Sequence, residues 1–312
     1  MFSRYSLAGR RAFSHTVGFA GLGCMGLPMA SNLKKNGYTV KAYDLMPEAR
    51  KNASEAGLTV VDSLSEVASD VEYVVTALPA TAHVEEALKT EGGIFESAKE
   101  GTMICDVSTI NPAGAKEFYA DAKKHGVTYL DTPMSGGVTG AHAATLTFMV
   151  GCNEDAEFEK AKLVLQGMGK NFFHCGPPGS GEIAKLTNNL ILGISMVAAS
   201  EGMAIGEKLG MDPKKLQQIL AVSTARNWCI DTYNPRPGNL PNVPANNNYE
   251  GGFAVGLVKK DMVLALEAAH SVDARTDLLE HSLEYYLDLE KKGMGRKDFG
   301  YVFQYIMKNK QI

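Results

Sequence analysis

Residues 176–189, GPPGSGEIAKLTNN, divide the chain into two parts of different character. The segment opens with two prolines and three glycines, which interrupt regular structure, and it continues into an apolar run with the composition of a long helix. We therefore predict a domain boundary near Ser180 and one long helix that links the two domains.

The same segment places Lys185 and Asn189 four residues apart, so both lie on one side of the predicted helix. Their neighbours are apolar and are predicted to lie in a packed interior: Ile183, Ala184, Leu186, Leu190 and Ile191. Burial disfavours the ammonium form of a lysine and lowers its pKa, so Lys185 is a candidate to exchange a proton with a substrate hydroxyl. The alternative is a structural lysine that reaches the surface from the first helical turn.

The N-terminal part of the chain contains a dinucleotide-binding pattern. An apolar strand at 16–20 leads into the turn GLGCMG, and a helix follows; the turn consists of Gly21, Leu22, Gly23, Cys24, Met25 and Gly26. In this pattern the glycines allow a tight turn, the approach of backbone amides to a pyrophosphate, and close packing of helix on strand. The next strand ends on Asp44, whose carboxylate suits the ribose hydroxyls of NAD and repels the 2′-phosphate of NADP. Residues 45–47 bring no arginine there, so the predicted cofactor is NAD.

Further apolar segments alternate with helical ones, and the strand candidates are 38–43, 58–61, 71–78, 103–107, 127–130, 146–150 and 171–174. This alternation predicts an α/β domain over residues 16–180, a Rossmann-type, doubly wound and mostly parallel sheet with helices on both faces. Beyond the boundary the periodicity is helical, at 182–209, 213–222, 254–271, 276–292 and 298–308. Residues 181–312 are therefore predicted to form an all-α domain for substrate binding and oligomerisation.

One stretch of this second half lacks helical periodicity. Residues 231–252, DTYNPRPGNLPNVPANNNYEGG, are too rich in proline, asparagine and glycine for regular structure. Unstructured segments of this length are uncommon inside compact domains, so we expect an ordered functional loop or a mobile lid.

Composition excludes several classes of partner. The 312 residues carry a formal net charge of −4, with no basic cluster of the kind that binds nucleic acid. The five cysteines form no CxxC pair and no ligand set with histidine, which indicates free thiols, a reducing compartment and no metal. The most apolar run, 190–199, is shorter than the roughly 20 residues that cross a bilayer, so no membrane association is expected.

The first 15 residues, MFSRYSLAGRRAFSH, contain three arginines and no acidic residue. This composition is typical of a mitochondrial presequence and is unlike a secretory signal. We predict import into the mitochondrial matrix and a mature N-terminus near Thr16.

Two further patterns are ambiguous when taken alone. Ser135, Gly136 and Gly137 follow a predicted strand, where glycine amides and a serine hydroxyl can bind a carboxylate, or can simply form a loop. Lys260 and Asp261 lie in an otherwise apolar helix, and the plain interpretation is a surface pair.

A YxxxK pair, Tyr119 and Lys123, resembles the proton donor of short-chain dehydrogenases, with Ser108 upstream as a possible third member. Those enzymes have a different glycine spacing and no large helical second half. We therefore interpret the pair as ordinary positions of a helix.

Four segments occur together in the order and spacing seen in beta-hydroxyacid dehydrogenases: GLGCMGLPMASNLKKNG, DTPMSGGVTGA, GPPGSGEIAKLTNN and KDMVLALEAA. The resemblance covers nearly the whole chain. It implies an NAD-dependent dehydrogenase that acts on a small-molecule 3-hydroxy acid, as a homodimer or homotetramer.

By this resemblance Lys185 corresponds to the catalytic lysine, Asn189 to an amide that orients the substrate, and Ser135 with Gly136 and Gly137 to the substrate-carboxylate site. Ser135 is counted among the catalytic residues. The family positions that contact the dinucleotide fall on Leu78, Pro79, His83, Thr109 and Lys260.

The chain departs from the family at three positions, which affects the expected substrate fit and not the chemistry. Met134 replaces the usual valine, Ala144 the usual glycine, and His83 a common asparagine. A glyoxylate or succinic semialdehyde reductase of the same family remains an alternative, although such enzymes usually prefer NADPH and lack the loop at 231–252. A non-catalytic dinucleotide-binding module is a second alternative, and the presence of Lys185 argues against it.

Overall fold

A computed structural model describes residues 16–308, so the predicted presequence lies outside the described residues. The strands are β1 Thr16–Ala20, β2 Thr39–Tyr43, β3 Thr59–Val60, β4 Tyr73–Thr76, β5 Met103–Asp106, β6 Thr128–Asp131, β7 Met134–Ser135, β8 Leu146–Gly151 and β9 Gly169–Gly176. Helices α1–α8 are Gly26–Lys35, Pro47–Glu55, Leu64–Ala68, Thr81–Lys89, Ile94–Ser97, Pro112–Lys124, Gly137–Ala143 and Asp155–Leu165. Helices α9–α14 are Ser180–Lys208, Pro213–Leu220, Trp228–Asp231, Val255–His270, Asp277–Lys291 and Val302–Lys308.

The strands form one sheet in which β3-β2-β1-β4-β5-β6 are parallel neighbours. All four residues of β4 and of β5 are buried, as expected for central strands covered by helices on both faces. At the far edge β8 runs antiparallel to β6 and β7 and parallel to β9. The predicted Rossmann-type α/β sheet is confirmed. The two-residue strand β7 was not predicted, because it is too short to show alternation.

The strand order reverses between β1 and β4, since β1 leads outward to β2 while β4 lies on its other side. In open α/β sheets, ligands bind outside the carboxyl ends of the strands at such a reversal. The turn at 21–26, Asp44 and the segment after β4 all lie at this end of the sheet.

The second half, within the described residues, is helical as predicted. Its central helix, α9, has 29 residues and packs against α12, α13 and α14 as well as against β8 and β9. A second apolar core forms around it, separate from the core of the sheet. Asp212 caps α10 through a hydrogen bond from Lys215 N, with Pro213 in the first turn.

Two predictions about α9 need correction. Ile183 and Ile191 are not in the interior but are 49% and 57% exposed, because they lie on the side of the helix away from its partners. In addition, α9 as a whole is long and apolar enough to cross a membrane by length and composition, so the shortness of the run at 190–199 decides nothing. In the fold its buried side contacts other helices and the sheet.

The segment 231–252 is an ordered loop held by side-chain hydrogen bonds. Arg236 forms two bonds with the carboxylate of Glu207 near the end of α9, at 2.9 and 3.1 Å. The Tyr249 hydroxyl donates to Pro235 O at 2.7 Å, and the Tyr233 hydroxyl donates to Asp298 at 2.8 Å. Of the two expectations, the structure supports an ordered loop.

Candidate active site

The turn at 21–26, which we call the glycine turn, has the shape required to bind a pyrophosphate. Gly21 has φ +96°, in the region that favours glycine. A Cβ on Gly26 would lie 1.9 Å from Gly21 O, so this position tolerates no side chain, whereas a Cβ on Gly23 would meet nothing within 4 Å. Gly23 and Cys24 are exposed while Leu22 and Gly26 are buried. The turn therefore fits a dinucleotide that lies over Gly23.

Asp44 lies against this turn. Its Oδ2 accepts a hydrogen bond from Leu22 N at 2.7 Å, and its Oδ1 accepts from Met46 N at 2.8 Å. The sequence-based interpretation overlooked Arg50, one turn into α2, whose Nη1 donates to Asp44 O at 2.6 Å. Residues 45–47 contain no cation, but the first turn of α2 folds residue 50 back onto the strand end, which sequence distance alone does not show.

The segments after β4 and β5 are tied together at the same end of the sheet. Leu78 N donates to Ser108 Oγ at 2.8 Å, and Asn111 N donates to Thr81 Oγ1 at 3.1 Å. Thr109 O accepts from Lys260 Nζ at 2.7 Å, which links this segment to α12. The structure thus brings Leu78, Thr109 and Lys260 into one network.

Pro79 and His83 extend from this network toward solvent. Both are exposed, and His83 lies in the first turn of α4 with its N–H bonded to Ala80 O at 3.0 Å. The resemblance assigns five residues to the dinucleotide in addition to the glycine turn and Asp44. Pro79 and His83 are the two of these five that lie at the solvent-exposed edge of the site.

Lys185 and Asn189 form a buried pair on α9. Lys185 Nζ donates to Asn189 Oδ1 at 3.1 Å, and Asn189 Nδ2 donates to Asp261 Oδ2 at 2.5 Å. The carboxylate of Asp261 thereby fixes the amide so that its oxygen faces the lysine. Burial lowers the pKa of Lys185, while the charges of Asp261 and Glu182 oppose that change.

Lys260 and Asp261 are not the surface pair that the plain interpretation gives. Asp261 is 3% exposed, and its Oδ1 lies 3.1 Å from Lys260 Nζ, an ion-pair contact without hydrogen-bond geometry. Since consecutive residues of a helix point in different directions, one carboxylate reaches Asn189 while the lysine beside it reaches the segment after β5. We refer to Glu182, Lys185, Asn189, Lys260 and Asp261 together as the lysine junction.

Asp131 anchors the start of α9 to the sheet. It is the last residue of β6, and it accepts hydrogen bonds from Gly179 N at 2.8 Å and Glu182 N at 3.1 Å. Burial raises the pKa of Asp131 to about 7, against the effect of these amides. A Cβ on Gly181 would lie 2.3 Å from Met149 O, so the helix start fits closely onto the sheet.

The predicted carboxylate site begins on β7, next to β8. Ser135 is half-buried, and Gly136 and Gly137 are exposed with φ of +134° and +62°. These two glycines start α7, and Ala144, directly after the last residue of that helix, has φ +53°. Glycine is favoured in that conformation, so the alanine that replaces the family's usual glycine is a strained residue.

The YxxxK pair is structural, as interpreted. Tyr119 is buried in α6 and its hydroxyl accepts from Asn153 Nδ2 at 2.9 Å, while Lys123 Nζ lies 4.4 Å from the centre of its ring. Between residues 16 and 308, no group of three or more histidine, cysteine, aspartate or glutamate side chains is placed to hold a metal ion.

A parallel sheet with a glycine turn and a carboxylate at its ribose end, next to a helical domain that supplies a buried lysine, defines a nicotinamide-dependent dehydrogenase. Comparison with known proteins narrows this class. The family model described as the NAD binding domain of 6-phosphogluconate dehydrogenase matches residues 16–176. The model described as "NAD-binding of NADP-dependent 3-hydroxyisobutyrate dehydrogenase" matches residues 179–306. The chain belongs to the 3-hydroxyisobutyrate dehydrogenase family.

Individual relatives agree with this assignment. The chain is 46% identical over 296 residues to the probable mitochondrial 3-hydroxyisobutyrate dehydrogenase of Dictyostelium discoideum, covering 95% of this chain and 92% of the relative. It is 44% identical over 290 residues to the human mitochondrial enzyme, covering 93% and 86%. A solved structure of Mycobacterium tuberculosis 3-hydroxyisobutyrate dehydrogenase with L-serine superimposes with a TM-score of 0.86 at 34% identity, covering 94% and 99%.

These matches confirm the predicted family, the dehydrogenase activity and the NAD cofactor. Within the family, the segments WCIDTYNPRPG and NNNYEGGF favour the 3-hydroxyisobutyrate dehydrogenases, in agreement with the relatives found.

Proposed function

We propose that the protein oxidises 3-hydroxyisobutyrate to methylmalonate semialdehyde, a step of valine breakdown, with NAD as the oxidant. The observation that carries the proposal is the buried Lys185, whose amine bonds to Asn189 and whose pKa is lowered by burial. An amine of this kind accepts the proton of the substrate hydroxyl while the bound NAD accepts the hydride.

The remaining roles follow from where the side chains lie. Asn189 is held by Asp261, so its amide oxygen points at Lys185 and its position orients the reacting hydroxyl. Ser135 with the amides of Gly136 and Gly137 binds the substrate carboxylate; the support is that both glycines are exposed and that glycine amides beside a serine hydroxyl can form an anion site. Lys260 supports the dinucleotide from α12 through its bond to Thr109 O.

The preference for NAD over NADP rests on Asp44. Its carboxylate lies 2.7 Å from Leu22 N of the glycine turn, and in this position it would accept from the ribose hydroxyls of a bound dinucleotide. A 2′-phosphate there would meet a like charge. The guanidinium of Arg50 lies beside this carboxylate, with Nη1 donating to the carbonyls of Asp44 and Leu45 at 2.6 and 3.3 Å.

L-Serine is a second candidate substrate. It is also a 3-hydroxy acid, and the Mycobacterium tuberculosis enzyme that superimposes on this chain was solved with it. The carboxylate site and the lysine would serve both compounds, since they differ at the carbon between the carboxylate and the hydroxyl-bearing carbon.

A substrate screen with purified protein tests the proposal. We expect 3-hydroxyisobutyrate with NAD to give the highest kcat/KM, L-serine to follow, and NADP to be a poor substitute. Glyoxylate and succinic semialdehyde with NADPH serve as the comparison for a reductase. Faster turnover of either with NADPH than of 3-hydroxyisobutyrate with NAD would contradict the assignment.

We further propose that the chain divides into domains at 16–180 and 181–312, and the support is the two separate apolar cores.

We also propose that the protein acts in the mitochondrial matrix and that its presequence is cleaved near Thr16. The support for both points is the arginine-rich start and the mitochondrial names of its relatives. N-terminal sequencing of native protein from isolated matrix tests them. An intact Met1 would contradict cleavage.

A homodimer or homotetramer is the proposed assembly. Its support is the set of apolar side chains that α9 leaves exposed: Ile183, Ile191 and Ile205. Light scattering after size-exclusion chromatography measures the mass, and a monomer would contradict the proposal.

A further inference from the structure

Glu182 is a fully buried carboxyl group beside the proposed base. It lies three residues before Lys185 on α9, so the two side chains share one side of the helix. Its Oε2 accepts a hydrogen bond from Ile110 N at 3.2 Å, and its Oε1 is buried with no hydrogen-bond partner. A carboxylate so placed bears the cost of burial at one oxygen without compensation.

Charged groups on β5, β6 and α12 face this carboxyl. The sheet contributes Asp106 at the end of β5 and Asp131 at the end of β6, both of which disfavour a further negative charge. Lys260 on α12 favours that charge, as does the Ile110 amide. Burial comes first among the causes, and together with the two aspartates it raises the pKa of Glu182 well above its usual range.

The aspartates themselves are better compensated. Asp106 accepts hydrogen bonds from the Thr76 and Tyr129 hydroxyls, both at 2.8 Å, and from Ser108 N at 3.1 Å. Asp131 accepts from two backbone amides at the start of α9. Of these three carboxyls, Glu182 is the one with an unpartnered buried oxygen, so it is the one on which a proton is most favourable.

We propose that Glu182 is a positioning residue that carries a proton on Oε1 and, in this neutral form, ties the first turn of α9 to the segment after β5, so that it adds no negative charge to that of Asp261 beside Lys185, which then acts as an amine. Nothing in the family assignment gives this residue a role. The inference rests on the proposed function, in which Lys185 is the base.

A neutral Glu182 is compatible both with the hydrogen bond from Ile110 N and with an uncharged Lys185. Oε2 of a protonated carboxyl still accepts from Ile110 N, so the tie to the segment that carries Thr109 is kept. An ionised Glu182 would instead add its charge to that of Asp261 and raise the pKa of Lys185, which disfavours the neutral amine that takes a proton from the substrate. The same residue therefore positions the helix start and, when it is neutral, favours the neutral form of the lysine.

The proton can be observed without turnover. A protonated carboxyl has a carbonyl stretch that is resolved from carboxylate bands, and we expect Glu182→Gln to remove one such component from the infrared spectrum at neutral pH. The control is Glu201→Gln, on the exposed side of the same helix, which should leave that region unchanged. Absence of a lost component in Glu182→Gln would overturn the inference, even if Lys185 proves to be the base.

Kinetics test the positioning role. Glu182→Ala loses the acceptor for Ile110 N, and misplacement of the helix start should lower kcat/KM roughly tenfold or more. Glu182→Gln keeps the acceptor and the neutral charge, so it should recover most of that loss, with the rising limb of the pH profile at the wild-type position. A limb displaced to lower pH in Glu182→Gln, or a loss as large as that of the alanine variant, would show that Glu182 works as an anion and would overturn the proposal.

The two sets of measurements separate this inference from the proposed function. If Lys185→Ala keeps full turnover, the proposed function fails and the positioning role fails with it, while the infrared band still decides whether Glu182 holds a proton. If Lys185→Ala is inactive but no band is lost in Glu182→Gln, the proposed function stands and this inference fails.

Discussion

The glycine turn and the lysine junction are built in opposite ways. The turn is contiguous in sequence, and its function comes from the absence of side chains, since Gly23 is open and Gly26 touches backbone. The junction gathers side chains from α9 and α12, with Glu182 reaching the segment after β5, and its function comes from charges held in a buried place. The comparison teaches that the proposed cofactor site is set by backbone shape, whereas the proposed site of proton transfer is set by burial.

The largest effect is expected in the junction. Lys185→Ala should lower kcat by about 10² to 10⁴, the usual contribution of an acid-base group, while NAD affinity stays near normal because the glycine turn is independent of it. Stopped-flow rates of hydride transfer and equilibrium NAD binding measure the two quantities. Lys208→Ala, exposed at the end of the same helix, is the control. Loss of NAD binding in parallel with rate would show that the two regions are not separate.

The glycine turn offers a matched pair of variants. Gly26→Ala forces a Cβ to within 1.9 Å of Gly21 O, so it should destabilise the fold by about 1–3 kcal/mol or more through overpacking. Gly23→Ala adds a methyl group to open space, so we expect stability within about 0.5 kcal/mol of wild type and a clear loss of NAD affinity. Urea unfolding and NAD titration distinguish the two. Equal NAD affinity in Gly23→Ala and wild type would contradict the placement of the dinucleotide.

A smaller effect is expected at the ribose end of the turn. Asp44→Asn combined with Leu45→Arg removes the like charge and adds a phosphate donor, so kcat/KM with NADP should rise relative to NAD by roughly tenfold or more. Arg50→Gln in the same background tests whether the native arginine also contributes. Selectivity that does not move would mean that Asp44 does not face the ribose.

The smallest effect concerns backbone strain at the end of α7. Ala144 has φ +53°, a left-handed conformation that is strained for alanine. Ala144→Gly relieves this strain but makes the unfolded chain more flexible, so the net effect should be a stabilisation of about 0.5–1 kcal/mol. Ala143→Gly, one residue earlier and helical, should destabilise it by a similar amount. Thermal unfolding measures both. A loss of stability in Ala144→Gly would mean that the strain is compensated by other contacts.

The glycine turn can be predicted from the sequence more fully than the lysine junction can. The glycine turn, Asp44 and the alternation of strands are local patterns, and every predicted strand lies within a few residues of an observed one. The single missed strand, β7, is two residues long and depends on β8 for its existence.

The junction was predicted in its parts and not in its connections. Lys185 and Asn189 have a helical spacing, which a sequence shows, but the burial of Asp261 depends on where α12 packs, which a sequence does not show. Glu182 and Asp131 gave no signal, since a lone acid in a sequence looks the same whether it is solvated or buried. Arg50 was overlooked for a related reason, because it returns to Asp44 through a helical turn.

The most direct test of the central claim is the pH dependence of hydride transfer in wild type and in Lys185→Arg, measured in a single turnover. A buried base whose pKa is lowered gains activity as pH rises through that pKa, so kcat/KM should rise through a group below the ordinary lysine value of about 10.4. Arginine keeps the positive charge but stays protonated, so Lys185→Arg should be nearly as slow as Lys185→Ala and should lack this limb. Near-normal turnover in Lys185→Arg, with the limb retained, would show that Lys185 is an electrostatic anchor and that another group is the base.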